Sequence, residues 1–335
     1  HLLPTGEIFY AGSYNTHYTF PFSVKAFPSS TLNVDTGKWT TVGNPNNVNR
    51  EEGTTVLLPL EPPNYEPRLL LIAGGTPTGN DAISDVEMID FSEMPPKYRP
   101  IQNLKHARYY VYPVLLPDKT VLVIGGKKGK KGHIHDSSHD SSHDSSHDSS
   151  HDSSHMDHNH NHSHDIEHHP DAVLEPELFT PNDRKWIPMA DMMVDRLYHS
   201  NALLLPDGRV MTAGSNPQRT INELRIEIFR PPYLFKGERP VIRRYPESIT
   251  YGKTFELEST QTRDIIEIAI IRSTVTTHCV NTEQRYVGLE FSSKDSNTLS
   301  VTVPPNKNLA PPGYYLLFIL NKDGVPSIAP FVQLI

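Results

Sequence analysis

Histidine is concentrated in one stretch of this 335-residue chain. Residues 133–169 hold thirteen of its eighteen histidines. They are His133, His135, His139, His143, His147, His151, His155, His158, His160, His162, His164, His168 and His169, spaced largely by a repeated Asp-Ser-Ser unit. Clustered neutral imidazoles bind Zn²⁺, Cu²⁺ or Ni²⁺, and neighbouring Asp carboxylates assist. Two readings stand side by side: a metal-scavenging tract of low specificity, or a solvated low-complexity expansion with no selected role. A second constellation is sparser. Tyr198 and His199 are adjacent in Arg196-Leu197-Tyr198-His199-Ser200, and His278 lies in Thr277-His278-Cys279-Val280-Asn281-Thr282-Glu283-Gln284-Arg285. Taken without their surroundings, Tyr198 reads as a buried packing tyrosine and His199 as a hydrogen-bonded rim histidine. Neighbours on a regular strand face opposite sides, so both reach one point only at a strand end or bulge. His278 needs no such irregularity. Cys279 should face away from it as a small core residue. Arg285 reads equally as an interdomain contact or a surface arginine.

The elements that position these residues follow from an internal repeat. Leu2-Leu3-Pro4-Thr5-Gly6 with Ile8-Phe9-Tyr10-Ala11-Gly12 opens the series. Arg68-Leu69-Leu70-Leu71-Ile72-Ala73-Gly74-Gly75 follows. Then come Leu115-Leu116-Pro117-Asp118-Lys119-Thr120-Val121-Leu122-Val123-Ile124-Gly125-Gly126 and Leu204-Leu205-Pro206-Asp207-Gly208-Arg209-Val210-Met211-Thr212-Ala213-Gly214. Each is an apolar strand, a turn, a second strand and a small-residue end. Gly75 and Gly126 are 51 positions apart; Gly126 and Gly214 are 88 apart, or 51 without the 37-residue His-rich segment. That period is the spacing of kelch-type propeller blades. A Glu, a Phe-containing strand and a Trp, as in Glu175-Pro176-Glu177-Leu178-Phe179-Thr180-Pro181 and Trp186, complete a four-stranded unit. From Arg239 onward, turn signals at Tyr251-Gly252, Asp295-Ser296-Asn297, Pro311-Pro312-Gly313 and Asp323-Gly324 separate six or seven short strands, as in a β-sandwich. The expected organisation is all-β: a partial propeller over residues 1–236, then an immunoglobulin-like sandwich over 239–335. Residues 133–169 are expected to be a long disordered loop on a basic stem of Lys127, Lys128, Lys130 and Lys131.

Bulk properties narrow the function classes. A net charge of −8 argues against nucleic acid or an anionic membrane as partner. No apolar run approaches a membrane-spanning length. Thirty prolines suit short strands and disfavour long helices. Cys279 is the single cysteine, which excludes an internal disulfide. The opening His-Leu-Leu-Pro-Thr-Gly reads as the middle of a repeat, with further blades expected before it.

In chain order, Arg196-Leu197-Tyr198-His199-Ser200, Glu227-Ile228-Phe229-Arg230-Pro231-Pro232-Tyr233-Leu234, the motif from Thr277 to Arg285, Pro311-Pro312-Gly313-Tyr314-Tyr315 and Gly324-Val325-Pro326-Ser327 resemble the galactose oxidase and glyoxal oxidase family of copper radical oxidases. The resemblance covers most of the chain outside the His-rich segment. It implies an early-set domain after the propeller and a single copper held by Tyr198, His199 and His278. It makes Tyr198 the catalytic proton acceptor. It also implies a small alcohol, aldehyde or carbohydrate as substrate, O₂ as oxidant, H₂O₂ as product and an extracellular location. The family's radical cofactor joins a tyrosine to a cysteine in earlier blades. No cysteine precedes Cys279 here, and Tyr109 and Tyr110 fall one blade before Tyr198, so neither is assigned that part. The other reading is a kelch scaffold with a binding or structural role.

Overall fold

The computed structural model describes residues 1–11, 13–15, 25–47, 50–75, 82–129, 168–216, 222–273 and 276–335. Nearly all regular structure in them is strand. The two helical segments, Pro232–Phe235 and Thr262–Asp264, are single 3₁₀ turns. Four sheets form a partial propeller. The first blade holds Ile8–Tyr10, Ser29–Asn33 and Lys38–Gly43, beside a hairpin of Ser13–Asn15 with Lys25–Phe27. The second is Thr54–Leu57, Arg68–Ile72, Val86–Asp90 and Lys97–Pro100; the third is Tyr112–Leu115, Val121–Ile124, Glu177–Thr180 and Lys185–Pro188. The fourth has three strands, Asn201–Leu204, Val210–Ala213 and Glu227–Phe229. Every pairing within these blades is antiparallel and joins strands consecutive in the chain, apart from the hairpin excursion in the first.

One ionic device recurs in successive blades. A buried arginine precedes the innermost strand and meets a glutamate on the third. Arg50 reaches Glu87 at 2.7 Å and the carbonyl of Asp85 at 2.8 Å. Arg108 reaches Glu177 at 2.5 Å and the carbonyls of Gly125 at 3.0 Å and Glu175 at 3.2 Å. Arg196 lies 3.9 Å from Glu227 and donates to the carbonyls of Gly214 at 2.7 Å and Arg225 at 2.9 Å. The planar guanidinium supplies several donors in a fixed fork, so it ties three chain segments together where lysine would tie one. The small-residue ends make room for this. Gly125 and Gly126 have φ of +73° and +110°, and a Cβ there would lie 2.6 Å from the carbonyl oxygens of Arg196 and Tyr109 respectively. Only glycine tolerates both that backbone and that approach.

The device makes acid stability predictable. Burial pushes the Glu87 carboxyl up, but the Arg50 guanidinium and the amides of Asn46 and Asn47 outweigh it and hold it below its ordinary value. A depressed folded-state pKa stabilises above the unfolded value near 4.5 and is lost as pH falls through the folded value. Thermal melts should therefore be flat from pH 7 to about 5 and fall steeply below about 4. Arg50→Met should lower the neutral-pH melting temperature and shrink that acid drop; an unchanged acid branch would refute the assignment.

Among the described residues, nine strands lie beyond the propeller, more than the six or seven expected. The extra ones, such as Ser248–Ile249 and Phe291–Ser293, are too short to carry a periodic signal. They form a four-stranded sheet (Ile242–Arg244, Thr254–Ser259, Thr298–Thr302, Phe291–Ser293) against a five-stranded one (Ser248–Ile249, Phe331–Leu334, Gly313–Asn321, Ile265–Arg272, Tyr286–Gly288). The central pair Ile265–Arg272 and Gly313–Asn321 is apolar almost without alternation, because both faces are covered. Ile268, Ile270, Leu317 and Ile319 fill the sandwich core. Ala269, Ile271, Leu316 and Phe318 face the other way and pack with Val56, Leu70 and Val123 of the propeller. Burying each of the larger side chains contributes about 1.5–3 kcal/mol, so this shared cluster stabilises the contact between the sandwich and the blades.

Candidate metal centre

Tyr198 and His199 are not on a strand. They occupy the turn before Asn201–Leu204, and His199 has φ +62°. This irregular backbone lets adjacent side chains share one region. His278 was expected to need no irregularity, yet it sits with Cys279 in a tight turn closed by Thr277 and Val280, at φ +50° and +65°. The turn leaves His278 exposed and buries the Cys279 thiol.

The turn reaches the propeller through contacts with three blades. Thr276 donates to the Asn201 side chain of the fourth blade. Thr54 of the second blade donates to the Cys279 carbonyl at 2.7 Å. Gln284 pairs with the inner strand of the third blade, accepting from the Leu115 N–H and donating to the Pro113 carbonyl, both at 3.0 Å. Arg285 is buried rather than superficial, and donates to the carbonyls of Asn308, Leu309 and Leu2. Of these, Gln284 and Arg285 were flagged by the motif; Thr54, Thr276 and Asn201 carry no sequence signal.

The result is a convergence of three rings. His199 Nε2 and His278 Nε2 are 2.8 Å apart, with the ring planes at 87°. The Tyr198 ring stacks on His199 at 3.9 Å between centroids and meets His278 edge-on at 5.5 Å. Tyr110 closes the other side, 5.1 Å from Tyr198. Both imidazoles are exposed and Tyr198 is half-buried. Burial first, then the neighbouring His278, lowers the pKa of His199, which favours the neutral ring that ligates metals. Burial, then the neighbouring Glu52 and Cys279, raises that of Tyr198.

The donor set fits copper. Imidazole nitrogens and a phenol oxygen are donors that Cu²⁺ accepts, and the two nitrogens lie close enough to share one ion. Among the described residues no group of three or more His, Cys, Asp and Glu side chains forms a metal cluster; the candidate centre has two imidazoles and a phenol.

Of the His-rich segment, His133 through His164 lie outside the described residues. His168 and His169 are described and are tied down: His168 Nδ1 is 2.7 Å from Asp195 Oδ1, and the His169 amide donates to Asp195 Oδ2 at 2.5 Å. These two differ from the disordered loop expected, because Asp195, next to the buried Arg196, offers a fixed acceptor.

Residues 239–334 match the family model of the galactose oxidase-like early set domain. Among curated relatives, a WSC domain-containing protein of Arthroderma benhamiae is 32% identical over 291 residues, covering 84% of this chain and 28% of the relative. Aldehyde oxidase GLOX of Vitis pseudoreticulata is 37% identical over 181 residues, covering 48% of this chain and 34% of its own length. Galactose oxidase of Gibberella zeae is 34% identical over 169 residues, covering 48% and 25%. The chain thus spans between a quarter and about a third of the length of these relatives. A solved fungal alcohol oxidase of the AA5 family, in complex with copper, superposes with a TM-score of 0.71 at 21% identity, covering 99% of this chain and 74% of that one. At that identity it shows the shared fold.

Proposed function

Because the chain belongs to the galactose oxidase and glyoxal oxidase family, we propose that Tyr198, His199 and His278 hold one copper ion in a copper-dependent oxidase. The whole protein then oxidises a primary alcohol or aldehyde with O₂, releasing H₂O₂. The observation that carries this reading is the 2.8 Å approach of His199 and His278 Nε2 from two different domains. When bound, copper supplies a one-electron redox couple and a Lewis-acidic position for the substrate oxygen. The protein's own groups do the rest. His199 and His278 hold the ion through neutral nitrogens. Tyr198 is placed beside both rings, where its phenolic oxygen takes the hydroxyl proton of the substrate. The buried Tyr110 ring and the half-buried Tyr198 ring limit water on that side. Two electrons and two protons leave each alcohol and reduce one O₂ to H₂O₂. The redox-active tyrosine–cysteine pair must come from elsewhere in the whole protein.

Tyr198→Phe separates the roles. In the full-length protein it should retain copper but lower kcat about a hundredfold or more, since the proton acceptor is gone. Equal H₂O₂ production by the variant would refute the assignment. A full-length protein that binds copper at His199 and His278 yet yields no H₂O₂ from any alcohol or aldehyde would favour the scaffold reading. The His-rich tract is a separate low-specificity site for divalent metals in this proposal. The proposal includes an extracellular location, as the family resemblance implies.

A further inference from the structure

The loop that carries His199 has counterparts in the two preceding blades. Each lies between the buried arginine and the innermost strand, and each places a left-handed residue two positions before that strand. These are Glu52 at φ +55°, Tyr110 at +57° and His199 at +62°, ahead of Thr54, Tyr112 and Asn201. The loops lie side by side: the Tyr110 amide donates to the Glu52 carbonyl at 3.1 Å, and the Tyr110 ring reaches Tyr198. Glu52 therefore holds, in the second blade, the place that a candidate ligand holds in the fourth. It is half-buried, and it lines a cavity of about 380 Å³ together with Glu51, Thr54, His278 and Asn281. Its charge is near enough to contribute to the raised pKa of both Tyr110 and Tyr198.

A non-glycine residue with positive φ is strained unless its surroundings fix it. Here the Arg50–Glu87 pair anchors the loop, and Glu52 shares the lining of the cavity with His278. An acceptor-only carboxylate there binds substrate hydroxyl groups and opposes a second negative charge. We infer that Glu52 is a specificity-determining residue, selecting neutral hydroxylated alcohols and aldehydes and rejecting carboxylate-bearing ones. This inference rests on the oxidase reading for its choice of reaction, but its binding consequence is independent of it.

The test compares two substrates of equal size in the full-length, copper-loaded protein: glycolaldehyde, which is neutral and hydroxylated, and glyoxylate, which is anionic. Wild type should prefer glycolaldehyde in kcat/KM. Glu52→Gln, nearly isosteric, should raise KM for glycolaldehyde with little change in kcat, shrinking the preference about tenfold. Glu52→Arg should reverse it. Calorimetric titration with malonate, an inert dianion, supplies a readout without turnover: binding should be weak in wild type and at least about tenfold tighter in Glu52→Arg. If no form oxidises either aldehyde but Glu52→Arg gains malonate affinity, the Glu52 assignment stands and the oxidase reading falls. If wild type turns over and both variants keep its substrate ratio and its malonate affinity, Glu52 is not the determinant and the oxidase reading stands.

Discussion

Glu177→Ala is expected to destabilise the chain by about 3–5 kcal/mol, a large share of the 5–15 kcal/mol available to a domain. Glu177 and Arg108 have side chains 1% and 0% exposed. Burial draws the Arg108 guanidinium down to about 10, which leaves it charged at neutral pH even so. Removing the carboxylate strands that charge in the interior. It also releases the Lys105 amide, which donates to Glu177 at 2.7 Å, so the loop between the second and third blades loses its anchor. Urea unfolding should show the loss as a lowered midpoint at unchanged slope. The comparison that isolates the mechanism is Arg108→Met with Glu177→Leu, which removes both charges and should recover most of the stability. An exposed pair gives the opposite limit. Lys294 and Glu256 are 52% and 60% exposed, and Glu256→Ala should leave the midpoint almost unmoved. If Glu177→Ala behaved like Glu256→Ala, the blade-locking role would be wrong.

That device was only half legible in the sequence. The repeated glutamate and the Gly-Gly ends could be aligned, since strand and turn signals are local. The arginine's partner could not be found that way. Arg50 and Glu87 are 37 positions apart and Arg108 and Glu177 are 69 apart, the second interval enlarged by the His-rich segment. Nothing in the composition of either end marks the pair. The same limit explains the site. Tyr198, His199 and His278 were reached through motif resemblance, and the need for irregular backbone at Tyr198 and His199 followed from strand geometry. The left-handed turn at His278 and Cys279 was missed. No glycine or asparagine occupies either position, and its cause is tertiary: the Cys279 carbonyl is held by Thr54 while its side chain is buried. Glu52 was missed for a related reason. In sequence it is one of two adjacent acids in a polar stretch, and only the stacking of three equivalent loops sets it apart. The continuous apolar runs of Ile265–Arg272 and Gly313–Asn321 were legible as strands, but that their second face is the propeller contact required the structure.

His278→Ala should abolish stoichiometric copper binding although it leaves every propeller residue intact. Residues that merely support a metal ligand change affinity by about 10–100-fold, so loss of a ligand should exceed a hundredfold. The expected titration of the full-length wild-type protein has two classes: one tight equivalent per chain and a weaker class on the His-rich tract. His278→Ala and His199→Ala should each remove the tight equivalent and leave the weaker class as it was. The two variants should be alike, because one imidazole with a phenol gives too few strong donors to retain Cu²⁺. Both residues are exposed, so the substitutions create no cavity and should leave the melting temperature of the copper-free protein within about 1 °C. Added copper should raise the wild-type melting temperature and not the variants', since a ligand that binds only the native state stabilises it in proportion to its affinity. This last contrast also tests the interdomain character of the centre. An ion gripping His199 from the fourth blade and His278 from the sandwich must resist separation of the two, so the copper-dependent gain should appear in the unfolding of both units. A tight equivalent that survives His278→Ala, or a gain confined to one unit, would place the copper elsewhere.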